Sequence, residues 1–156
     1  MPDATEWNRR YLRMAREVAD WSKDPSTGVG AILVDPEYNL ISTGYNGFAS
    51  KVKDTPERLN NRTLKLKLTL HGEENAIINA GKAGRMTKGA ICYVWPMPPC
   101  APCASKLAQA GVLHIISVTT SPDHHSRWGE DISLAQEVYS ETGVDLLIYE
   151  QEFLDW

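Results

Sequence analysis

Cysteine is scarce in this chain, with three in 156 residues, at positions 92, 100 and 103. That number is too small for a disulfide framework, so the disulfide-stapled secreted class is excluded and a reducing, cytoplasmic setting is expected. Long apolar runs are missing too. No stretch approaches the roughly 20 residues of a membrane-spanning helix, and the charged N-terminus has no apolar signal core, so no membrane partner is expected. An excess of positive charge is also lacking: 16 Lys and Arg stand against 20 Asp and Glu, a net charge of −4. This balance argues against a nucleic-acid partner and leaves small anionic substrates to a local basic pocket. Repeats and low-complexity tracts are absent, and the length predicts one domain over residues 1–156 with a core of its own.

The chemistry present is concentrated in two short segments, His71-Gly72-Glu73 and Pro99-Cys100-Ala101-Pro102-Cys103. One His and two Cys separated by two residues supply three ligands of the kinds zinc takes, leaving the fourth tetrahedral position open. Three protein ligands mark a site built to react. Glu73 is too close to His71 to share the metal comfortably from one helix turn, but it suits a general acid/base. Cys-x-x-Cys alone is more often a structural zinc clip or a redox pair. A closed clip needs a fourth ligand, for which His124 or His125 would serve, and a redox pair would not bring its own His-x-Glu. Cys92 lies in an apolar run and reads as an inert buried thiol.

Along the chain, Asp3-x-x-Glu6 resembles a capping box, and Trp7, Tyr11, Met14, Val18 and Trp21 form an apolar stripe, predicting a helix over 4–21. A polar loop holding Asp24-Pro25 leads to a hairpin of strands 28–34 and 40–44. Thr55-Pro56 opens a helix, and the alternation of Leu64, Leu66, Leu68 and Leu70 with polar residues predicts an extended lead-in to His71. Residues 51–70 hold six basic and two acidic side chains, which read either as a solvated face or as phosphate contacts. Helices follow from His71 to about Gly81 and from Cys100 to Ala110, placing His71, Cys100 and Cys103 at helix N-termini, where the dipole favours thiolate. Strands are predicted at 90–95, 112–118 and 144–149, the second parallel to the first, with a loop over 119–131 and a helix over 132–142. The acidic tail from Glu150 carries no signal. The fold class is α/β, a three-layer αβα sandwich around a mixed five-stranded sheet, with the site at the carboxyl ends of strands.

Ser22-Lys23-Asp24-Pro25, Gly44-Tyr45-Asn46-Gly47-Phe48, His71-Gly72-Glu73 with Asn75-Ala76-Ile77, Pro99 to Cys103 and Gln109-Ala110-Gly111 together resemble the cytidine deaminase superfamily. Within it they resemble the deoxycytidylate (dCMP) deaminases, over nearly the whole chain. His-x-Glu with Pro-Cys-x-x-Cys is the general mark of zinc nucleobase deaminases. The resemblance implies Zn²⁺ on His71, Cys100 and Cys103, proton transfer by Glu73, and hydrolysis of dCMP to dUMP and ammonia. It also implies that Asn46 contacts the substrate sugar, that Ser22 and Lys23 lie near its phosphate, and that Gly72 offers a backbone N–H to the base. Gly72 stands where the family usually has Ala, so extra room of about one methylene is expected against the base. Homo-oligomers from dimer to hexamer, and dCTP or dTTP as effectors, are further implications. Two other classes compete: a deaminase of another cytosine or adenine nucleoside or base, including bases in nucleic acid, and an inactive zinc-stabilised scaffold. The acidic balance weighs against nucleic acid, and Glu73 weighs against a scaffold.

Overall fold

The computed structural model describes residues 1–119 and 129–155. The elements in chain order are α1 (Ala4–Ala19), β1 (Gly30–Val34), β2 (Leu40–Tyr45), α2 (Pro56–Asn60), α3 (Arg62–Leu68) and α4 (Gly72–Lys82). Then come β3 (Ile91–Trp95), α5 (Ala101–Gln109), β4 (His114–Val118), α6 (Gly129–Thr142), β5 (Asp145–Tyr149) and a 3₁₀ turn (Gln151–Asp155).

The five strands form one sheet in the order β2-β1-β3-β4-β5. β1 runs antiparallel to both β2 and β3, while β3, β4 and β5 are parallel. This is the expected mixed sheet, and β4 is parallel to β3 as predicted. Because side chains alternate across a strand, Ala31 and Leu33 of β1 join Cys92 and Val94 of β3 under α4, α5 and α6. Ile32 and Val34 join Tyr93 beneath α1 and the 3₁₀ turn. Two glycines let the helices seat closely. A Cβ at Gly30 would lie 2.0 Å from the Ala15 carbonyl oxygen of α1, and one at Gly44 would lie 2.3 Å from the Ala76 nitrogen and the Gly72 oxygen of α4.

Four readings of the sequence need correction. The first helix stops at Ala19, and its buried stripe is Tyr11, Leu12, Ala15, Val18 and Ala19, leaving Met14 and Trp21 exposed. Trp21 instead meets Tyr45 edge-on at 6.0 Å. The alternating leucines are not a strand: Asn61 caps α3 by accepting the Leu64 N–H at 3.1 Å, and Leu66 is 61% exposed. Leu and Lys are strong helix formers, and no sheet face is available to reward the alternation. Only Leu70 is extended, bridging Gly47. Helix α6 begins at Gly129, ahead of the expected 132. The tail also has a structure: Arg9 and Arg13 of α1 donate to the carbonyls of Phe153 and Leu154 at 3.0 and 2.8 Å, and Leu154 is buried.

Candidate metal centre

β1 begins, and β2 and β3 end, at one edge of the sheet, with Gly30 paired to both Tyr45 and Trp95. Helix α4 lies on β2, so its N-cap, His71, is delivered there. The chain leaving β3 reaches Cys100, the N-cap of α5, and Cys103 lies in the first turn. The donor atoms of His71, Cys100 and Cys103 all fall within 4.8 Å of one another. His71 Nδ1 is 3.2 Å from Cys103 Sγ and 3.4 Å from Cys100 Sγ. Donors on a tetrahedral zinc, at bonds of about 2.0–2.3 Å, stand roughly 3.5 Å apart, so the trio fits that ion. His124 and His125, considered as a fourth ligand or a second metal site, lie outside the described residues.

The trio holds its protons unequally. Cys100 is pulled down to about 5 by the hydrogen bond from the Cys103 thiol and by His71, against the opposing effect of burial. Cys103 is raised because its proton is held toward Cys100 and because it is buried. His71 rises to about 8 through its contact with Cys100. A ready thiolate beside an imidazole is the donor chemistry zinc selects. Glu73 is 4% exposed, and burial pushes its carboxyl up to about 7, midway between acid and base at neutral pH.

The remaining expected site residues occupy varied settings. Ser22 Oγ donates to the Asn46 carbonyl at 2.8 Å. The buried Asn46 amide accepts from the Val29 N–H and donates to the Thr27 carbonyl, each at 2.8 Å, and so fixes the approach to β1. Lys23 reaches into solvent and pairs with Asp54 at 3.0 Å. The expected room at Gly72 is not found where its Cβ would stand. A Cβ there would meet the Val29 oxygen at 3.1 Å, Val29 Cγ1 at 3.3 Å and the Gly44 oxygen at 3.4 Å, so a methyl would be crowded between α4 and the backbone at Val29 and Gly44. Among the basic residues at 51–70, Lys65 is buried and bonded to Asp24 and Ser26 at 3.1 and 3.0 Å, stitching α3 onto the Ser22–Thr27 loop.

Two residues that sequence reasoning missed touch the ligand-bearing backbone. Glu74 accepts from the His71 N–H at 3.0 Å and from Lys106 Nζ of α5 at 2.8 Å. Asp131 of α6 accepts from the Ala101 N–H at 3.0 Å. The Glu at the third position of α4 was a visible capping-box signal. Nothing in the sequence connected Asp131 to Cys100.

The sheet edge, the donor trio and the protonatable carboxyl define a zinc-dependent enzyme of α/β fold. Residues 5–119 match the family described as the cytidine and deoxycytidylate deaminase zinc-binding region. A protein of Aliivibrio fischeri named as an uncharacterized deaminase in the luxG 3' region is 38% identical over 143 residues, covering 91% of this chain and 92% of its own length. The deoxycytidylate deaminase of Mus musculus is 33% identical over 147 residues, covering 91% of this chain and 79% of its own. The chain belongs to the cytidine and deoxycytidylate deaminase family. The crystal structure of the dCMP deaminase of cyanophage S-TIM5, in complex with dCMP and dUMP, superimposes with a TM-score of 0.74 at 22% identity. It covers 95% of this chain and 99% of its own, a likeness of fold.

Proposed function

We propose that this protein hydrolyses dCMP to dUMP and ammonia. The observation that carries the reading is the placing of His71, Cys100 and Cys103 donor atoms within 4.8 Å on two adjacent helix N-termini, in a chain of this family. Support for the monophosphate comes from the similarity to deoxycytidylate deaminases along nine-tenths of the chain.

His71, Cys100 and Cys103 would hold the zinc ion, whose Lewis acidity makes water a competent nucleophile at neutral pH. Glu73 takes a proton from the attacking water as its oxygen adds to C4 of cytosine, and passes that proton to N3. Glu73 then takes the second proton from the new hydroxyl at C4 and delivers it to the amine, which the tetrahedral carbon loses. Ammonia leaves and a carbonyl forms. A carboxyl held near neutrality is suited to both directions of transfer. The Gly72 backbone N–H, in the first turn of α4, offers a donor to the base. Asn46 keeps one amide hydrogen and one lone pair beyond its backbone bonds, enough for a sugar hydroxyl. Lys23, with a side chain 72% exposed, can turn from Asp54 to a phosphate, with Ser22 beside it.

The same reading includes self-association, from dimer to hexamer, and dCTP or dTTP as effectors. Exposed Leu64, Leu66 and Leu68 on α3 support association. A cytoplasmic setting is supported by three unpaired cysteines and by the lack, among the described residues, of a helix long and apolar enough to cross a membrane. Ammonia release from dCMP, deoxycytidine, cytosine, adenosine compounds and an oligonucleotide tests the reading. Turnover on dCMP well above all others is expected, and preference for the oligonucleotide or for an adenine compound would replace it.

A further inference from the structure

We infer that Glu74 and Asp131, neither of them in the donor trio, are positioning residues that fix the two backbone segments from which His71 and Cys100 project. The inference rests on the zinc-dependent deaminase reading of this site. One Glu74 oxygen accepts the His71 N–H at 3.0 Å, and the other accepts Lys106 Nζ at 2.8 Å. Lys106 belongs to α5, the helix that starts at the cysteine donors. A single carboxylate is therefore bonded to the backbone of the histidine donor and to the helix of its cysteine partners. Asp131 acts from a third helix, its Oδ2 accepting the Ala101 N–H at 3.0 Å, the peptide immediately after Cys100.

Neither bond touches a donor atom. Each restrains a peptide, and with it the direction in which the donor's Cβ leaves the chain. Ordinary helix capping would explain both contacts if they acted on stability alone. Two observations go further. The α4 cap continues across to α5, joining the two halves of the trio. The α5 cap comes from α6, thirty residues downstream, and the opening of α5 (Cys100-Ala101-Pro102-Cys103-Ala104) holds no side-chain oxygen of its own, so the Ala101 N–H depends on Asp131. Glu74 does not favour the Cys103 thiolate electrostatically, since it is among the groups that raise Cys103. The contribution of the two carboxylates is geometric, the kind of outer support that typically changes metal affinity by about 10–100-fold.

The test compares Glu74→Ala, Glu74→Gln, Lys106→Met, Asp131→Ala and Asp131→Asn in the full chain. The readouts are zinc affinity by competition with a chromophoric chelator, the visible spectrum of the cobalt(II)-substituted protein, thermal midpoint and dCMP turnover. Glu74→Ala and Asp131→Ala should weaken zinc binding by about 10–100-fold and shift the cobalt bands. Glu74→Gln and Asp131→Asn keep an acceptor oxygen and should recover most of the loss. Lys106→Met should weaken zinc by about 2–5-fold, the scale of a partly exposed ion pair. The double variant Glu74→Gln/Lys106→Met should be no worse than Lys106→Met alone. Lower thermal midpoints with unchanged zinc affinity and cobalt spectra would reduce both residues to helix caps and overturn the inference. If both alanine variants fail to fold, the other three decide: wild-type zinc affinity in Lys106→Met removes the clamp. Absence of dCMP turnover in the unaltered enzyme would sink the substrate reading and leave the affinity comparison intact.

Discussion

The methyl group that Gly72 lacks would point at Val29. A Cβ at this position lies 3.1 Å from the Val29 carbonyl oxygen and 3.3 Å from its Cγ1, with the Gly44 oxygen at 3.4 Å. Two of these three neighbours are backbone atoms, which cannot rotate aside. Overpacking typically costs about 1–3 kcal/mol, while replacing glycine by alanine in a helix returns about 1 kcal/mol at most. Gly72→Ala should therefore be slightly destabilised, by about 1 kcal/mol. Its ratio of kcat/KM for dCMP over 5-methyl-dCMP should match the unaltered protein, because the added methyl meets Val29 and Gly44. A changed ratio would restore the base-pocket reading.

Two other glycines separate crowding from flexibility more sharply. Gly44→Ala puts a Cβ at 2.3 Å from backbone atoms of α4, so α4 must lift and carry His71 away; loss of zinc retention is expected. Gly81, within α4 itself, has nothing within 4 Å of its would-be Cβ. Gly81→Ala should raise stability by about 1 kcal/mol in a denaturant titration, with zinc and turnover unaltered. Equal behaviour of the two variants would mean that α4 does not seat on Gly44 as described.

Glu73→Gln keeps the shape of the side chain and removes its ability to exchange a proton. The variant should bind zinc with the usual stoichiometry and lose nearly all turnover. Zinc analysis of the purified variant alongside ammonia release separates the proton-transfer role from metal binding, and a zinc-free Glu73→Gln would make the carboxylate a metal ligand instead.

Lys23 and Asp54 make a paired forecast with opposite signs. Lys23→Ala should reduce kcat/KM for dCMP by about 10–100-fold, the scale of one charge-assisted contact, while leaving slow deoxycytidine turnover nearly unchanged. Asp54→Asn releases the ammonium from its 3.0 Å partner and should lower KM for dCMP. Equal losses on nucleotide and nucleoside would assign Lys23 to loop structure.

The turn between β1 and β2 gives a pH dependence. Asp35 is held below the usual carboxylate range, chiefly by accepting the Asn39 N–H, with the Glu37 N–H adding to it. A depressed carboxyl stabilises the fold above its unfolded value of about 3.9 and loses that contribution as pH falls through the lower, folded value. The thermal midpoint of the unaltered protein should exceed that of Asp35→Ala at pH 6, and the gap should narrow as the pH is lowered below about 4. A gap independent of pH over that range would assign the loss to the missing oxygen acceptor alone.

The donor trio was legible because its information is local: His-x-Glu and Pro-Cys-x-x-Cys each lie within a few residues, and each opens a helix. The sheet was legible for the same reason, since β1, β3 and β4 are short apolar runs bounded by turns. Leu64 to Leu70 misled because alternation signals a strand only when one face is buried, and here the Asn61 cap and the helix-forming residues prevail. Residues 151–155 gave no signal because the Arg9 and Arg13 side chains that bond the Phe153 and Leu154 carbonyls lie about 140 positions away. Asp131 was invisible on the same ground. The crowding at Gly72 was not legible, because a helix must be docked before the neighbours of a missing Cβ are known.

The pairing of β1 between β2 and β3 also has a kinetic side. Gly30 meets Trp95 across a loop that contains α2, α3 and α4. The β1–β2 hairpin with α4 holds the histidine, β3 with α5 holds the cysteines, and this long-range pairing, with the Glu74–Lys106 contact between α4 and α5, brings the two halves together. Closing so large a loop is entropically slow compared with forming the hairpin or the helices. Capture of zinc during refolding should then be a late event, and its rate should report the joining of the two halves while helical signals develop ahead of it.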